Sequence, residues 1–277
     1  MEFIESFEIR NLSAKITRVS FSGRIVDYWH PTNTGQDHKI EHVIVAHDGQ
    51  NIFDPRTATR GKTWKLAETA IKLFQDYGLT PPLIIAVFHS ANQQNLWGRS
   101  LDLVPQHPFQ SGLVLKPKKY SEVKLADLSG DYYLQNIVST IVPNICEAVG
   151  VQNKASNTAL LGSSLGGLAA LYGLGKHPDF FGAALAFSPH WVLGEEPLVR
   201  EIIDKLPNPG DHKIWLSRGT KGLEDEYRPF QNSANAQLIA LGWTLGQDLK
   251  SQVFNGDRHS ESSWRKQVKS ALKFWLS

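Results

Sequence analysis

Ser164 stands inside Gly162-Ser163-Ser164-Leu165-Gly166, the G-x-S-x-G spacing that exposes a serine hydroxyl on a sharp strand-to-helix turn. A hydroxyl is a poor nucleophile until such a turn presents it and a base takes its proton. Glycine has a steric reason to flank it, because side chains at Gly162 and Gly166 would collide where strand and helix cross closely. Three fixed residues in five also recur by chance, so the surrounding elements must carry the assignment. They agree with it. Thr158 to Leu161 reads as a buried strand, and Leu165 to Lys176 reads as a helix closed by His177-Pro178.

A serine nucleophile needs a histidine base, and the histidine needs a carboxylate to orient it. Around an elbow of this kind the chain order is serine, acid, histidine. His177, His190, His212 and His259 follow Ser164. His177 ends the elbow helix, where it favours the helix dipole. His190 comes too early to leave room for an intervening acid strand, and His212 precedes a strand, at the wrong edge of the sheet. His259 follows the last strand and precedes the last helix, on the same edge as Ser164. The acid is expected after the strand Ile214 to Ser217, where Glu224, Asp225 and Glu226 stand in one loop. Pattern alone does not choose among them. For the oxyanion hole, one backbone N–H is expected from Leu165 and the other from Gly49 or Gln50, after the strand His42 to Ala46.

Stepping outward, Ala14 to Ser22 and Arg24 to His30 read as a hairpin about Gly23. Thr63 is placed to cap a helix with Trp64, Ala67, Ile71 and Phe74 on one face, stopped by Gly78. Pro82 to Phe88 is a second buried strand. A polar region from Ser90 to Gly130 is too long for a simple connection and is expected to be functional or mobile. Asp131 to Val149 reads as a helix kinked at Pro143. Strands follow at Gly182 to Phe187 and Ser251 to Phe254, with a helix after Tyr227 and a final one capped by Ser260. Buried strands alternating with helices predict one α/β domain over residues 1–277. Its sheet should be mostly parallel, covered on both faces, with an antiparallel N-terminal edge.

The composition narrows the partners. A chain of 277 residues with net charge +2 has no strong pull toward nucleic acid or an anionic membrane. No stretch approaches a membrane span. Met1-Glu2-Phe3-Ile4-Glu5 lacks the apolar run of a secretory signal, and the single Cys146 allows no internal disulfide; both fit a cytoplasmic protein. His38, His42 and His47 crowd together with Asp37 and Asp48, but without H-E-x-x-H spacing, so neither a metal nor an organic cofactor is expected. Lys116, Lys118, Lys119 and Lys124 read as a solvated basic face.

Several segments together resemble the esterase D-like family of α/β-hydrolases, which includes S-formylglutathione hydrolases, feruloyl and acetyl-xylan esterases and enterochelin esterases. His47 to Asp54 (HDGQNIFD) is similar to the family's DGQNLFD segment, and Trp64 to a tryptophan that follows it. Arg99 to Pro105 resembles R-x-x-E-Y-T-P, Gly162 to Tyr172 resembles G-S-S-x-G-G-L-x-A-L-Y, and Phe187-Ser188-Pro189 resembles FSP. Gly219 to Tyr227 is similar to G-T-x-x-L-D-x-x-Y, which aligns Glu224 with the family's aspartate while leaving Asp225 beside it as the alternative. His259 to Trp264 resembles H-x-E-x-x-W, supporting His259 as base.

The resemblance implies an α/β-hydrolase fold and a serine esterase acting on a small-molecule or carbohydrate-linked ester. Trp191 and the 90–130 region, Arg99 included, are candidates to shape the substrate pocket. The rival expectations are an acyltransferase of the same fold and a non-catalytic binding scaffold.

Overall fold

The computed structural model describes residues 1–10, 12, 14–31, 40–116 and 120–277. The strands are β1 (Glu2–Phe7), β2 (Ile16–Phe21), β3 (Arg24–Trp29), β4 (Val43–Ala46), β5 (Leu83–Val87), β6 (Thr158–Ser163), β7 (Ala183–Phe187), β8 (Lys213–Arg218) and β9 (Leu249–Val253). The helices are α1 (Leu66–Tyr77), α2 (Gly98–Leu103), α3 (Gln106–Gln110), α4 (Gly130–Asn136), α5 (Val142–Val149), α6 (Leu165–Lys176), α7 (Glu195–Ile203), α8 (Leu223–Glu226), α9 (Arg228–Ala240) and α10 (Glu261–Leu276). Among the described residues the strands form one sheet in the order β1-β2-β3-β5-β4-β6-β7-β8-β9. The first three strands, and the β3–β5 pair, are antiparallel; β5 to β9 are parallel.

The parallel strands are apolar along their whole length because helices cover both faces. Alternation sorts their side chains. Val43, Val45, Ile85 and Leu160 join one core with residues of α5, α6 and α7. Ile44, Ala46, Ile84 and Leu161 join another with residues of α1 and α10.

Register then aligns the ends that matter. Ala46 pairs with Leu161, Ser163 with Phe187, Phe187 with Ser217 and Arg218 with Val253. The loops leaving β4, β6, β7, β8 and β9 therefore emerge along one edge of the sheet, where ligands bind in open α/β folds.

Four local features depart from or add to the expected elements. Strand β1 was not anticipated: Phe3 and Ile4 are exposed, so it shows no buried alternation, and Glu5 ties it to Arg18 of β2 at 2.7 Å. Helix α1 begins at Leu66, not after Thr63, because Lys65 takes a left-handed conformation; Leu66, Ala67, Ala70 and Leu73 form its buried face, and the Trp64 ring turns instead toward Phe187 and Trp264. The described residues of the 90–130 region include the short helices α2 and α3, with Asp102 of α2 bound to Arg24 of β3 at 2.9 Å. At Pro143 the helix is not simply kinked. A π-helical turn at Ile137–Ile141 precedes α5, and Pro143 falls in the first turn of α5, where its missing N–H is least costly.

Candidate active site

The elbow is built by close backbone approach. Strand β6 ends at Ser163, Ser164 adopts φ 57° and ψ −120°, and α6 starts at Leu165. A non-glycine residue held this way costs about 1–3 kcal/mol and persists only where its surroundings hold it. Here β7 does so: Ser164 N–H donates to the Phe187 carbonyl at 2.9 Å, and His190 N–H donates to the Ser164 carbonyl at 3.1 Å. A Cβ on Gly162 would lie 2.4 Å from the Gly166 carbonyl oxygen, so glycine is obligatory there. Helix α6 is buried from Leu165 through Leu174, which fixes the direction of the turn.

The acid and histidine loops are tied to each other. The N–H groups of Thr220 and Lys221 both donate to the Asp257 carbonyl at 3.1 Å, and Gly256 N–H donates to Thr220 Oγ1 at 2.9 Å. Within this frame Glu224 is fully buried. Its Oε1 lies 2.9 Å from His259 Nδ1, and its Oε2 accepts from Gly219 N–H at 2.8 Å. With Nδ1–H donating to the carboxylate, Nε2 is left as the basic nitrogen. The imidazole packs edge-on against Trp264 at 4.8 Å and Tyr227 at 5.4 Å. Asp225 points the other way, exposed, 3.8 Å from Arg228, and Glu226 is also exposed. Of the three acidic residues, only Glu224 meets the histidine.

On the opposite side, residues 47–51 pass close to the start of α6. A Cβ on Gly166 would approach Asp48 Oδ2 to 3.2 Å, and one on Gly49 would come within 2.4 Å of the Ala86 backbone. Asp48 is left-handed (φ 53°), and a single tight turn follows over Gly49–Asn51. Leu165 is the first residue of α6, so its N–H has no acceptor within the helix. Leu165 thus directly follows Ser164 at the start of α6, and Gly49 and Gln50 follow Asp48, whose carboxylate lies against Gly166.

Two buried groups hold this turn. The Asp48 carboxylate receives Nε and Nη2 of Arg99, both at 2.7 Å. Burial alone would push that carboxyl up, but the Arg99 guanidinium more than offsets it and holds Asp48 below the usual carboxylate range. His47 is buried, which pushes its imidazole down to about 4, and its Nδ1 meets the Tyr133 hydroxyl at 2.8 Å.

Of the two residues expected to shape the substrate pocket, Arg99 keeps 32% of its side chain exposed and Trp191 keeps none. Arg99 grips Asp48. Trp191 is fully buried, its Nε1 3.4 Å from Gln231 Oε1, and it offers no surface to a ligand. The groove beside the site, of about 370 Å³, is lined instead by His190, Lys116, Val192, Leu223 and Phe230, among others. Neither that groove nor a larger cavity of about 590 Å³ beside the β2–β3 turn is lined by Ser164, Glu224 or His259; the groove reaches the site through His190.

His190 and Tyr227 are the residues that sequence reading left without a role at the site. His190 Nδ1 is hydrogen-bonded to the Tyr227 hydroxyl, and the Ser164 hydroxyl is within hydrogen-bonding reach of the same phenol. Both are buried. Their signals were faint: Tyr227 closes the acid-loop segment, and His190 directly follows Phe187-Ser188-Pro189.

Of the residues weighed for a metal, Asp37 and His38 lie outside the described residues. His42 stands edge-on to Trp275 at 5.2 Å, and no group of three or more His, Cys, Asp or Glu among the described residues could hold an ion. Lys118 and Lys119 also lie outside the described residues, while Lys116 stands 3.5 Å from Glu195. No helix among the described residues is long and apolar enough to cross a membrane.

Solved structures similar to this chain include esterases. The chain is similar over 97% of its length to the enterobactin esterase FES of Shigella flexneri, with 18% identity and a TM-score of 0.64, covering 60% of that chain. Against the siderophore hydrolase EstA of Aspergillus nidulans the TM-score is 0.65 at 18% identity, with 97% of both chains covered. At these identities the likeness shows the α/β-hydrolase fold. An uncharacterized protein, YbbA of Bacillus subtilis (strain 168), is 27% identical over 158 residues, which is 53% of this chain and 60% of that protein. The chain thus spans about 60% of the length of both YbbA and FES in these matches. The family model described as Putative esterase matches residues 26–275, from β3 to the end of α10, and the chain belongs to that family.

Proposed function

We propose that this protein is a serine carboxylic-ester hydrolase working through an acyl-enzyme. The observation that carries the reading is the Glu224 carboxylate on His259 Nδ1, on loops that bring the imidazole to the Tyr227 ring beside the Ser164 elbow.

His259 Nε2 takes the Ser164 proton as Oγ attacks the ester carbonyl. Glu224 holds the tautomer and stabilises the imidazolium. Negative charge gathers on the carbonyl oxygen, toward the N–H groups of Leu165 and of Gly49 or Gln50, which need no reorganisation to receive it. As the tetrahedral intermediate collapses, the alcohol leaves with the proton held on His259. Water then gives a proton to His259 and its oxygen to the acyl carbon, and Ser164 Oγ leaves with that proton. The sequence of steps needs no metal or organic cofactor.

The substrate is a small-molecule or carbohydrate-linked ester. The names of the similar structures favour the former, since they include a siderophore hydrolase and an enterobactin and salmochelin hydrolase. The groove beside His190, apolar at Val192, Leu223 and Phe230 and charged at Lys116, Glu195 and Glu226, suits an ester with a ring and polar substituents.

Labelling by a fluorophosphonate and turnover of p-nitrophenyl acetate test the mechanism. Wild type should do both, and Ser164→Ala should abolish the label and lower turnover by at least about 10³-fold. Turnover that survives Ser164→Ala in a protein that never labels would overturn it. Product formation that depends on an added alcohol or sugar acceptor would instead identify an acyltransferase.

A further inference from the structure

We propose that Tyr227 is a catalytic residue that donates a hydrogen bond to Ser164 Oγ, and that His190 is the positioning residue that makes it a donor. The inference rests on Ser164 being the nucleophile.

The observations are three contacts around one phenol. Tyr227 is fully buried, its hydroxyl is hydrogen-bonded to His190 Nδ1, and the Ser164 hydroxyl lies within reach of the same oxygen. Its ring also stands perpendicular to the His259 imidazole, at 5.4 Å. His190 is itself held at the elbow, since its N–H bonds to the Ser164 carbonyl. Neither residue is needed to complete a serine–histidine–carboxylate arrangement, yet both are buried against it.

A phenol has one proton to give, while a neutral imidazole presents one donor and one acceptor nitrogen. For the reaction to proceed, the Ser164 proton must go to His259 Nε2. Oγ then meets Tyr227 only as an acceptor, so the Tyr227 proton must point at Oγ. The Tyr227 oxygen, having spent its proton, can only accept from His190, so His190 must carry its proton on Nδ1. A single direction of donation then runs from His190 through Tyr227 and Ser164 to His259, and from His259 Nδ1 to Glu224. Burial raises the Tyr227 phenol above its ordinary range, so it stays protonated throughout.

The two half-reactions feel this bond differently. In acylation Oγ gains a bond to carbon and sheds charge, so a donor to Oγ helps little. In deacylation the Oγ–acyl bond breaks, and the electron pair returns to Oγ while His259 Nε2 delivers the proton. A donor already aimed at Oγ stabilises that departing oxygen. Tyr227 keeps its own proton in both halves. Its loss should therefore slow deacylation more than acylation.

Pre-steady-state turnover of p-nitrophenyl acetate reads the two halves separately, with intact-protein mass spectrometry reporting the acetyl-enzyme. Tyr227→Phe should keep the fast burst and lower the steady-state rate by about 10- to 100-fold, so that acetyl-enzyme accumulates. His190→Ala should do the same more weakly. His190→Asn, which keeps an N–H near the Nδ1 position, should restore the rate to within about threefold of wild type. The double variant Tyr227→Phe with His190→Ala should be no slower than Tyr227→Phe alone, because His190 acts only through the phenol. If Tyr227→Phe does not fold, fluorotyrosine at position 227 keeps the shape, strengthens the donor and should speed deacylation.

Equal slowing of burst and steady state, no slowing of either, or effects of the two variants that multiply would each overturn the inference. A wild type with no Ser164-dependent burst and no fluorophosphonate label would defeat the esterase reading itself. A wild-type burst beside an unaltered Tyr227→Phe would defeat only the role of Tyr227.

Discussion

Two buried carboxylates flank Ser164, and they differ in what they hold. Glu224, on the β8 side, meets an imidazole and one backbone N–H. Asp48, on the β4 side, meets a guanidinium in a paired geometry. An imidazole exchanges its proton near neutral pH, whereas a guanidinium keeps its charge at any pH the protein survives. The same chemical group thus orients a proton carrier on one side and locks a piece of backbone on the other. Sequence offers Glu224 as a candidate acid but Asp48 only within a segment crowded with histidines, where a metal is weighed and set aside. The partner of Asp48 shows that it fixes the turn carrying Gly49 and Gln50.

Removing Glu224 breaks the comparison most sharply. Glu224→Ala should lower kcat by about 10³- to 10⁴-fold, because His259 loses its tautomer and the charge that supports its protonated form. Asp225→Ala is the matched control and should change kcat by less than about twofold, since its exposed carboxylate reaches only Arg228. Steady-state kinetics of both variants on one ester checks the pair, and a large loss at Asp225 would reverse the assignment.

The contrast also marks where the sequence was readable. Parallel strands, the elbow and the histidine loop show as local patterns: runs of buried residues, glycines at a tight crossing, a histidine between the last strand and the last helix. The oxyanion side was readable only as a segment. The bond that fixes it, Asp48 to Arg99, joins residues 51 apart, and the one that anchors α2, Arg24 to Asp102, joins residues 78 apart. Each of those helical and loop segments is short and polar, with no periodicity of its own, so long-range ion pairs decide its conformation. His190 and Tyr227 are a third case. Chain order argues against His190 as the base, but order says nothing about a histidine that reaches the nucleophile through a phenol 37 residues away. Strand β1 escaped notice because an exposed edge strand needs no apolar face.

Arg99 gives the second test. Arg99→Ala leaves the Asp48 carboxylate buried without its cation, which costs on the order of 3–5 kcal/mol. Urea denaturation should show that loss, and kcat should fall about 10- to 100-fold as the 47–51 turn loses its anchor. KM should move less than kcat if Arg99 only holds the turn. A variant with normal stability and a raised KM would instead place Arg99 on the substrate.

His47 yields the smallest and most conditional effect, and it separates the two sides by pH. In the unfolded chain this imidazole takes up a proton near its ordinary value of 6.5; in the folded protein, burial delays that until about 4. Between those values the unfolded state binds more protons, so the stability that His47 permits above pH 6.5 is lost progressively as pH falls toward 4. The shift corresponds to at most about 3 kcal/mol. His47→Gln removes the titrating group and keeps an acceptor for the Tyr133 hydroxyl, so its urea midpoint should fall less than that of wild type between pH 7.5 and pH 4.5. Asp48 adds nothing to that difference, because its carboxyl is held below the usual range and titrates lower still. Identical pH slopes for wild type and His47→Gln would mean that the β4 side is not strained by its buried histidine, and that Arg99 and Asp48 alone hold the turn.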